Sequence, residues 1–324
     1  MNILIVLCRL ILFYITSSYS SDVPLKHLLG KKLSKEADFW WKIKPPSFEL
    51  YNASCPVFSS KYSCPWNKRS LVAIDNLAKS RFLNQTRNSH VYFLGDSITK
   101  GHFISFACIL WSHVVDYDVL WPSGPTPLQA PNPIGKGSNL GKTTIHLDNG
   151  LVLHYSAIMT FNRSQLAEVK PNSTVVINFA MWYKKENHDA MLMDTAELSK
   201  LSTTDEFSSL KFIWRETSSG HFSKSPLPGG AKSILYPCVS DSRHDEFEHI
   251  FRRQSEIAIS GSSNFRLIPT IHSSQDQWDM HIGTLPIVSD PPESKMTGVL
   301  HDCAHWCLPG VPDTWSRDLM SMMS

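Results

Sequence analysis

An apolar run at 90–94 (HVYFL) passes directly into Gly95-Asp96-Ser97, and from 98 to about 114 the apolar residues Phe103, Phe106, Cys108, Ile109 and Leu110 recur at helical spacing. A strand this uniformly apolar has to be covered on both faces, which takes helices packed on each side of a sheet. The alternation continues down the chain. Runs at 175–180 (VVINFA) and 210–214 (LKFIW) predict buried strands, and the spacing predicts helices over 188–201 and 245–259 and a further strand over 265–268. Residues 144–147 lead into Asp148-Asn149-Gly150 and 151–155 return, a hairpin signal. Residues 122–143 are rich in proline and glycine without periodicity, which predicts a long loop. The expected fold class is α/β: a central, mostly parallel sheet flanked by helices, with a smaller irregular lobe.

The 324 residues carry 31 Lys and Arg against 29 Asp and Glu, a formal net charge of +2. That balance argues against a nucleic-acid binder, whose basic stripe would leave a large positive excess. Hydrophobic residues are 42% of the chain and charged residues 19%, which excludes a disordered protein. No uncharged apolar stretch reaches the roughly 20 residues of a membrane span, and no internal repeat is present. Residues 3–16 (ILIVLCRLILFYIT) form an apolar run broken only by Arg9 and followed by Ser18 and Ser20 at an A-x-A-like spacing. This reads as a secretory signal over 1–20, with an uncleaved signal anchor or a buried N-terminal element as the alternatives. Residues 21–49 then read as a stalk, and 50–324 as the main domain. Sequons at Asn52, Asn84, Asn162 and Asn172 fit the secretory route. So does the even set Cys55, Cys64, Cys108, Cys238, Cys303 and Cys307, although spacing alone leaves the pairings open.

Ser97 stands where a strand ends and a helix begins. Free backbone N–H groups and the helix dipole stabilise developing negative charge there, so an exposed serine at that point is a candidate nucleophile. The plain alternative is that Ser97 only caps the helix. In His301-Asp302-Cys303-Ala304-His305-Trp306-Cys307, Asp302 and His305 are three apart, and one helical turn would bring them to the same face. A carboxylate beside an imidazole fixes its tautomer and stabilises the imidazolium formed when it takes a proton. The alternatives are two surface polar residues, or a zinc site using His301, Cys303, His305 and Cys307. Alternate residues of one short run converge poorly on a single ion, so no metal is expected. Residues 135–143 (GKGSNLGKT) resemble a phosphate-binding loop but carry Lys136 where the pattern needs glycine. Asn178, at the end of a buried strand, is either an oxyanion donor or a structural amide. Trp182, Tyr183, Trp306 and Trp315 are candidates for stacking on sugar rings or for the core.

The run DCAHWCLPGVPDTW at 302–315 resembles the signature of the trichome-birefringence-like family of plant polysaccharide O-acetyltransferases, within the PC-esterase group of the SGNH/GDSL hydrolase superfamily. The GDS at 95–97 resembles that family's other motif, and Cys55-Pro56-Val57-Phe58 with Cys64, Ser105-Phe106-Ala107-Cys108, and Gly229-Gly230 ahead of Cys238 agree in order. The resemblance covers roughly 50–320. It implies an SGNH-like catalytic domain with Ser97 as nucleophile, His305 as base and Asp302 as its orienting partner. It also implies disulfides Cys55–Cys108, Cys64–Cys307 and Cys238–Cys303. Lys100 stands where the family usually has arginine, and Asn178-Phe179-Ala180-Met181-Trp182-Tyr183 lacks the family's glycine and histidine. Asn178, Asp96, Lys100 and Trp306 are the candidate oxyanion and substrate contacts. The implied activity is acetyl transfer to a polysaccharide hydroxyl, with a carbohydrate esterase and a non-catalytic glycan-binding module as alternatives. No bound cofactor is expected, only an acetyl donor as co-substrate. The expected location is the secretory pathway, in the Golgi lumen or outside the cell, with membrane contact only through the N-terminal segment.

Overall fold

The computed structural model describes residues 55, 74–118, 142–180, 183, 188–221, 238, 259, 264–286 and 299–324. Among them, seven strands form one sheet in the order β2-β3-β4-β1-β5-β6-β7, and β8 and β9 pair separately. β1 (His90–Gly95) lies at its centre, parallel to β4 (Val152–Ala157) on one side and to β5 (Thr174–Asn178) on the other. β6 (Lys211–Arg215) and β7 (Phe265–Ile268) extend the parallel part, and β3 (Lys142–Leu147) and β2 (Val114–Asp118) complete the other edge antiparallel. The expected α/β class with a mostly parallel sheet is what the chain adopts.

The strand sequences divide between the two faces with period two. Val91 and Phe93 of β1, Val176 of β5 and Ile213 of β6 enter one apolar cluster, with α1 (Asn76–Gln85), α2 (Ser97–Ile109) and α4 (Val311–Met323). Tyr92 and Leu94, Val175 and Ile177, and Phe212 and Trp214 enter the other, where Met191, Leu198 and Leu201 of α3 (His188–Leu201) cover them. α2 is buried along almost its whole length, because α4 packs on the side away from the sheet. The two helices are also tied by a buried polar link. Ser105 donates to Asp313 Oδ1 at 2.6 Å and lies 2.8 Å from the Ser316 hydroxyl, while Gly310 N–H donates to Asp313 Oδ2.

The hairpin forms as expected, with Gly150 at φ 81° in the turn. α3 and β7 take their expected bounds. Elsewhere the ends differ. α2 stops at Ile109 and gives way to a 3-10 turn (Trp111–His113) and then β2, since the β-branched pair Val114-Val115 favours extended chain. β5 ends at Asn178, and β6 is displaced by one residue. Lys142 and Thr143, expected in the long loop, open β3. The rest of that loop, residues 1–50 including both N-terminal segments, and the helix expected over 245–259 apart from Ile259 lie outside the described residues. Asn84, Asn162 and Asn172 are exposed, while Asn52 also lies outside the described residues.

The covalent frame is largely as the resemblance implied. Cys55 pairs with Cys108 and Cys238 with Cys303, at Cα separations of 5.5 and 5.4 Å. Cys307 is disulfide-bonded as well, and Cys64 lies outside the described residues.

Candidate active site

β1 is where the order of the sheet reverses: β2, β3 and β4, which follow it in the chain, lie on one side of it, and β5, β6 and β7 on the other. Clefts in open parallel sheets form beyond the carboxyl ends of the strands at such a point. The turn from β1 into α2 has to be very tight there. A Cβ on Gly95 would sit 2.2 Å from Thr99 Oγ1 and 2.4 Å from the Asn178 carbonyl oxygen, so only glycine fits. Asp96, not Ser97, caps the helix. Its Oδ1 accepts from the Ile98 and Thr99 N–H groups at 2.9 and 3.1 Å, and its carbonyl takes the Lys100 N–H. Ser97 is thereby released from the capping role, and its own N–H has no partner among the described residues. That N–H stands at the positive end of a 13-residue helix, where developing negative charge is stabilised.

The Ser97 hydroxyl lies 2.7 Å from His305 Nε2. Both residues are only partly buried, so the pair is reachable from solvent. His305 sits near the end of β9 (Val299–Trp306), which pairs antiparallel with β8 (His281–Pro286). Disulfide-bonded cysteines stand two residues before and two residues after it, at Cys303 and Cys307. Their sulfurs are committed to disulfides, which removes the thiolates that a zinc site at this segment would need. The segment is a strand rather than a helical turn, so the expected one-turn pairing of Asp302 with His305 does not apply. Asp302 lies on β9 opposite Gly283, and its side chain falls outside the described residues, as does that of His301.

Behind Ser97 lies a buried ionic layer. The Arg215 guanidinium, at the end of β6, donates from Nη2 to Thr99 Oγ1 at 3.1 Å and from Nη1 to the Glu216 carbonyl at 3.0 Å. Nη2 is 3.9 Å from Asp96 Oδ1, with both side chains almost completely buried, and the guanidinium carbon stands 5.3 Å over the Trp315 ring. The arginine thus balances the carboxylate that builds the turn, and the aromatic face lowers the cost of burying it. His102, one helical turn further in, sits between Phe93 and Trp315. Burial, and then the Arg215 charge, hold its imidazole well below its ordinary value, so it stays neutral. Tyr155 adds a clamp from β4, donating toward the Gly95 and Asp96 carbonyls at 3.4 and 3.2 Å.

The other expected contacts divide. Both donors of the Asn178 amide are taken, one by the Arg215 carbonyl at 2.7 Å and one by Thr217 Oγ1 at 3.0 Å. The side chain therefore ties β5 to the segment after β6 and has no N–H to spare for an oxyanion. Trp306 is a core residue, 2% exposed, with its indole N–H on Ser218 and its face on His281. Trp315 is core too, and Tyr183 donates its hydroxyl to Asp194. Trp182 and Met181 lie outside the described residues. Lys100 is half-buried on the first turn of α2, three residues from Ser97. Sequence reasoning missed Arg215, Tyr155, His221 and His281. Arg215 follows directly on the run 210–214, and the argument applied to Asn178, a polar group at a buried strand's end, would have found it. Single histidines, one in a loop and one opening β8, carry no spacing signal.

Comparison with known proteins agrees with this geometry. Residues 161–322, half of the chain, match the family model described as PC-Esterase, the GDSL/SGNH-like Acyl-Esterase family found in Pmr5 and Cas1p. The matched stretch includes His305 and begins after Ser97. Protein trichome birefringence-like 12 of Arabidopsis thaliana is 23% identical over 93% of this chain and 86% of its own length. Protein trichome birefringence-like 6 from the same plant is 22% identical, over 84% and 67% of the two chains. Xyloglucan O-acetyltransferase 1, also from Arabidopsis thaliana, is 22% identical over 77% and 68%. On the family match, which spans half of its length, the chain belongs to the PC-esterase family.

Proposed function

We propose that the protein is an O-acetyltransferase that moves an acetyl group onto polysaccharide hydroxyls through an acyl-serine at Ser97. The observation that carries this reading is the 2.7 Å approach of His305 Nε2 to Ser97 Oγ. His305 takes the hydroxyl proton as Oγ attacks the acetyl carbonyl, and the Ser97 N–H meets the oxyanion. The tetrahedral species collapses, and the donor's leaving group departs with the proton from His305. A sugar hydroxyl then gives its proton to His305 and attacks the acyl-serine, which releases the acetylated sugar and restores the serine. Asp302 is assigned to orient His305 and stabilise its charged form. The substrate class is supported by the relative named as a xyloglucan O-acetyltransferase.

Ester hydrolysis is the second reading, favoured by the family's own description as acyl-esterases. The two differ only in what attacks the acyl-serine. Transfer requires a sugar hydroxyl positioned well enough to beat water at roughly 55 M, and well-oriented groups reach effective molarities of about 10⁵ M or more. Asp96 builds the turn, and Lys100, on the same helical turn as Ser97, is assigned to the substrate side. No bound cofactor enters the scheme, only an acetyl donor as co-substrate. The disulfides support a secretory location, in the Golgi lumen or outside the cell, with any membrane contact made by residues 1–20. Purified protein incubated with an acetyl donor and a panel of glycans, read by mass spectrometry, should add acetyl groups to one polysaccharide class. Ready deacetylation of acetylated glycans with no gain from any donor would make it an esterase, and glycan binding without either reaction would make it a binding module.

A further inference from the structure

Behind the His305 strand, two more histidines meet. His221 Nδ1 lies 2.7 Å from His281 Nε2, and both residues are only 1% exposed. The outer nitrogens of the pair face main-chain carbonyls: His221 Nε2 is 2.9 Å from the Gln275 oxygen, and His281 Nδ1 is 3.0 Å from the His305 oxygen. A carbonyl only accepts, so each outer nitrogen must carry a proton. Two neutral imidazoles would then turn two lone pairs toward each other at 2.7 Å, in a place that bulk water does not reach. Satisfying all three contacts takes three ring protons, one more than two neutral rings hold. A metal ion between the rings is excluded by the same distance, since two bonds of about 2.0–2.1 Å would hold the nitrogens further apart.

We propose that His221 and His281 share one proton as a buried imidazole–imidazolium pair, and that this pair positions the main chain of His305. The second half of the statement rests on the reading of His305 as the base at Ser97. The surroundings suit a buried positive charge. The His281 ring stacks on Trp306 at 3.9 Å between centroids with 26° between planes, and His221 meets the same indole edge-on at 5.8 Å. The charged groups facing the pair among the described residues are Asp276 and Asp279. Burial draws the His221 imidazole down from its ordinary value, while the Gln275 carbonyl and those two carboxylates favour its charged form. The pair is built into the catalytic strand at several points. His221 N–H donates to the Cys303 carbonyl at 3.0 Å, His281 stands opposite Trp306 in the β8–β9 register, and the His281 ring holds the His305 carbonyl. Raising the pH through the pair's titration removes the shared proton and leaves one of the three contacts without a hydrogen. The bond to His305 is one of those at risk.

The test uses the full folded protein with isotope-labelled histidine. Nitrogen and proton NMR of the ring positions, assigned with His221→Asn and His281→Asn, should show three protonated nitrogens in the pair and one strongly downfield N–H···N proton. Both rings should lose that single proton in one step as the pH rises. Two protonated nitrogens at every pH at which the protein is folded would overturn the proposal. A second readout separates positioning from packing. In His221→Asn the amide can donate to a neutral His281 Nε2, so turnover should stay within a few-fold of the parent and lose the pH limb that belongs to the pair. His221→Leu leaves that nitrogen without a donor, and kcat should fall about ten-fold or more with little change in KM. Equal losses in both variants, or an unchanged pH profile in His221→Asn, would reduce the pair to packing. The NMR result does not depend on turnover. If Ser97→Ala stays active the triad reading fails alone, and if the pair is neutral while Ser97→Ala is inert this inference fails alone.

Discussion

Replacing Gly95 by alanine adds one methyl group at the point where β1 hands over to α2. The new carbon would lie 2.2 Å from Thr99 Oγ1 and 2.4 Å from the Asn178 carbonyl oxygen. Ordinary non-bonded contact begins near 3.5 Å, so about 1 Å of relief has to be found in two directions at once. The Thr99 hydroxyl can turn away only by giving up the bond from Arg215. The Asn178 oxygen belongs to the main chain of β5, which pairs with β1 at this residue, so it moves only with the strand. Overpacking of this kind costs about 1–3 kcal/mol of stability. Its effect on chemistry should be larger in proportion. The start of α2 is the softer side of the clash, and a displacement of about 1 Å between Ser97 and His305 costs on the order of 10²-fold in rate. The assay pairs two measurements on one preparation: the rate at which a fluorophosphonate probe labels Ser97, and the urea midpoint of unfolding. The expected result is a folded protein with a modestly lowered midpoint and labelling slowed about a hundred-fold. Labelling within two-fold of the parent, whatever the midpoint, would refute the claim that this turn sets the nucleophile.

Arg215→Met should destabilise the fold by about 3–5 kcal/mol, because it leaves the Asp96 carboxylate buried without its cation. Arg215→Lys should recover only part of the loss, lacking the second donor of the fork, and denaturant unfolding of both variants checks this. Breaking Cys238–Cys303 by the paired serine substitution should reduce labelling of Ser97 under conditions where circular dichroism still reports a folded protein, since that disulfide anchors the strand carrying His305; parallel loss of both signals would contradict it. On β4, beside the central strand, burial, with the charges of His90, Lys170 and His146, draws His154 from 6.5 to about 4. The unfolded chain takes up that proton first as the pH falls, so this contribution to stability is complete above pH 6.5 and is lost as the pH falls through about 4. His154→Asn should flatten the stability profile over that window, and an unchanged slope would refute the assignment.

The fold was legible where one force decides. Strands covered on both faces announce themselves as unbroken apolar runs, which is why β1, β5 and β6 could be placed within a residue or two. β2 could not, because it is an edge strand with Val115 and Tyr117 largely exposed, and its residues continue the pattern of the helix before it. At the site, Ser97 was readable from its position between strand and helix. The identity of the cap was not, since Asp and Ser serve equally well and only the backbone decides which of two neighbours takes that place. His305 was singled out beside Asp302 on the premise of a helical turn, where the chain in fact forms a strand paired with β8. Asn178 illustrates the limit most clearly. A buried amide must be satisfied, but the choice between a substrate and the Arg215 carbonyl depends on how far β6 reaches, a fact set by packing of segments distant in sequence. The histidine pair is out of reach for the same reason: 60 residues separate two rings whose meaning comes only from the distance between them.

The central claim is that Ser97 carries the acyl group. The direct measurement is to mix the protein with a reactive acetyl ester, quench in acid within the first turnover, and map the acetylated peptide by mass spectrometry, with Ser97→Ala and His305→Ala alongside. One acetyl group should appear on Ser97 and nowhere else in stoichiometric amount, should be lost again when an acceptor glycan or water is given time to react, and should be absent from Ser97→Ala and greatly slowed in His305→Ala. Turnover of the ester by Ser97→Ala at the parent rate, or an acetyl group found on another residue in its place, would contradict the account.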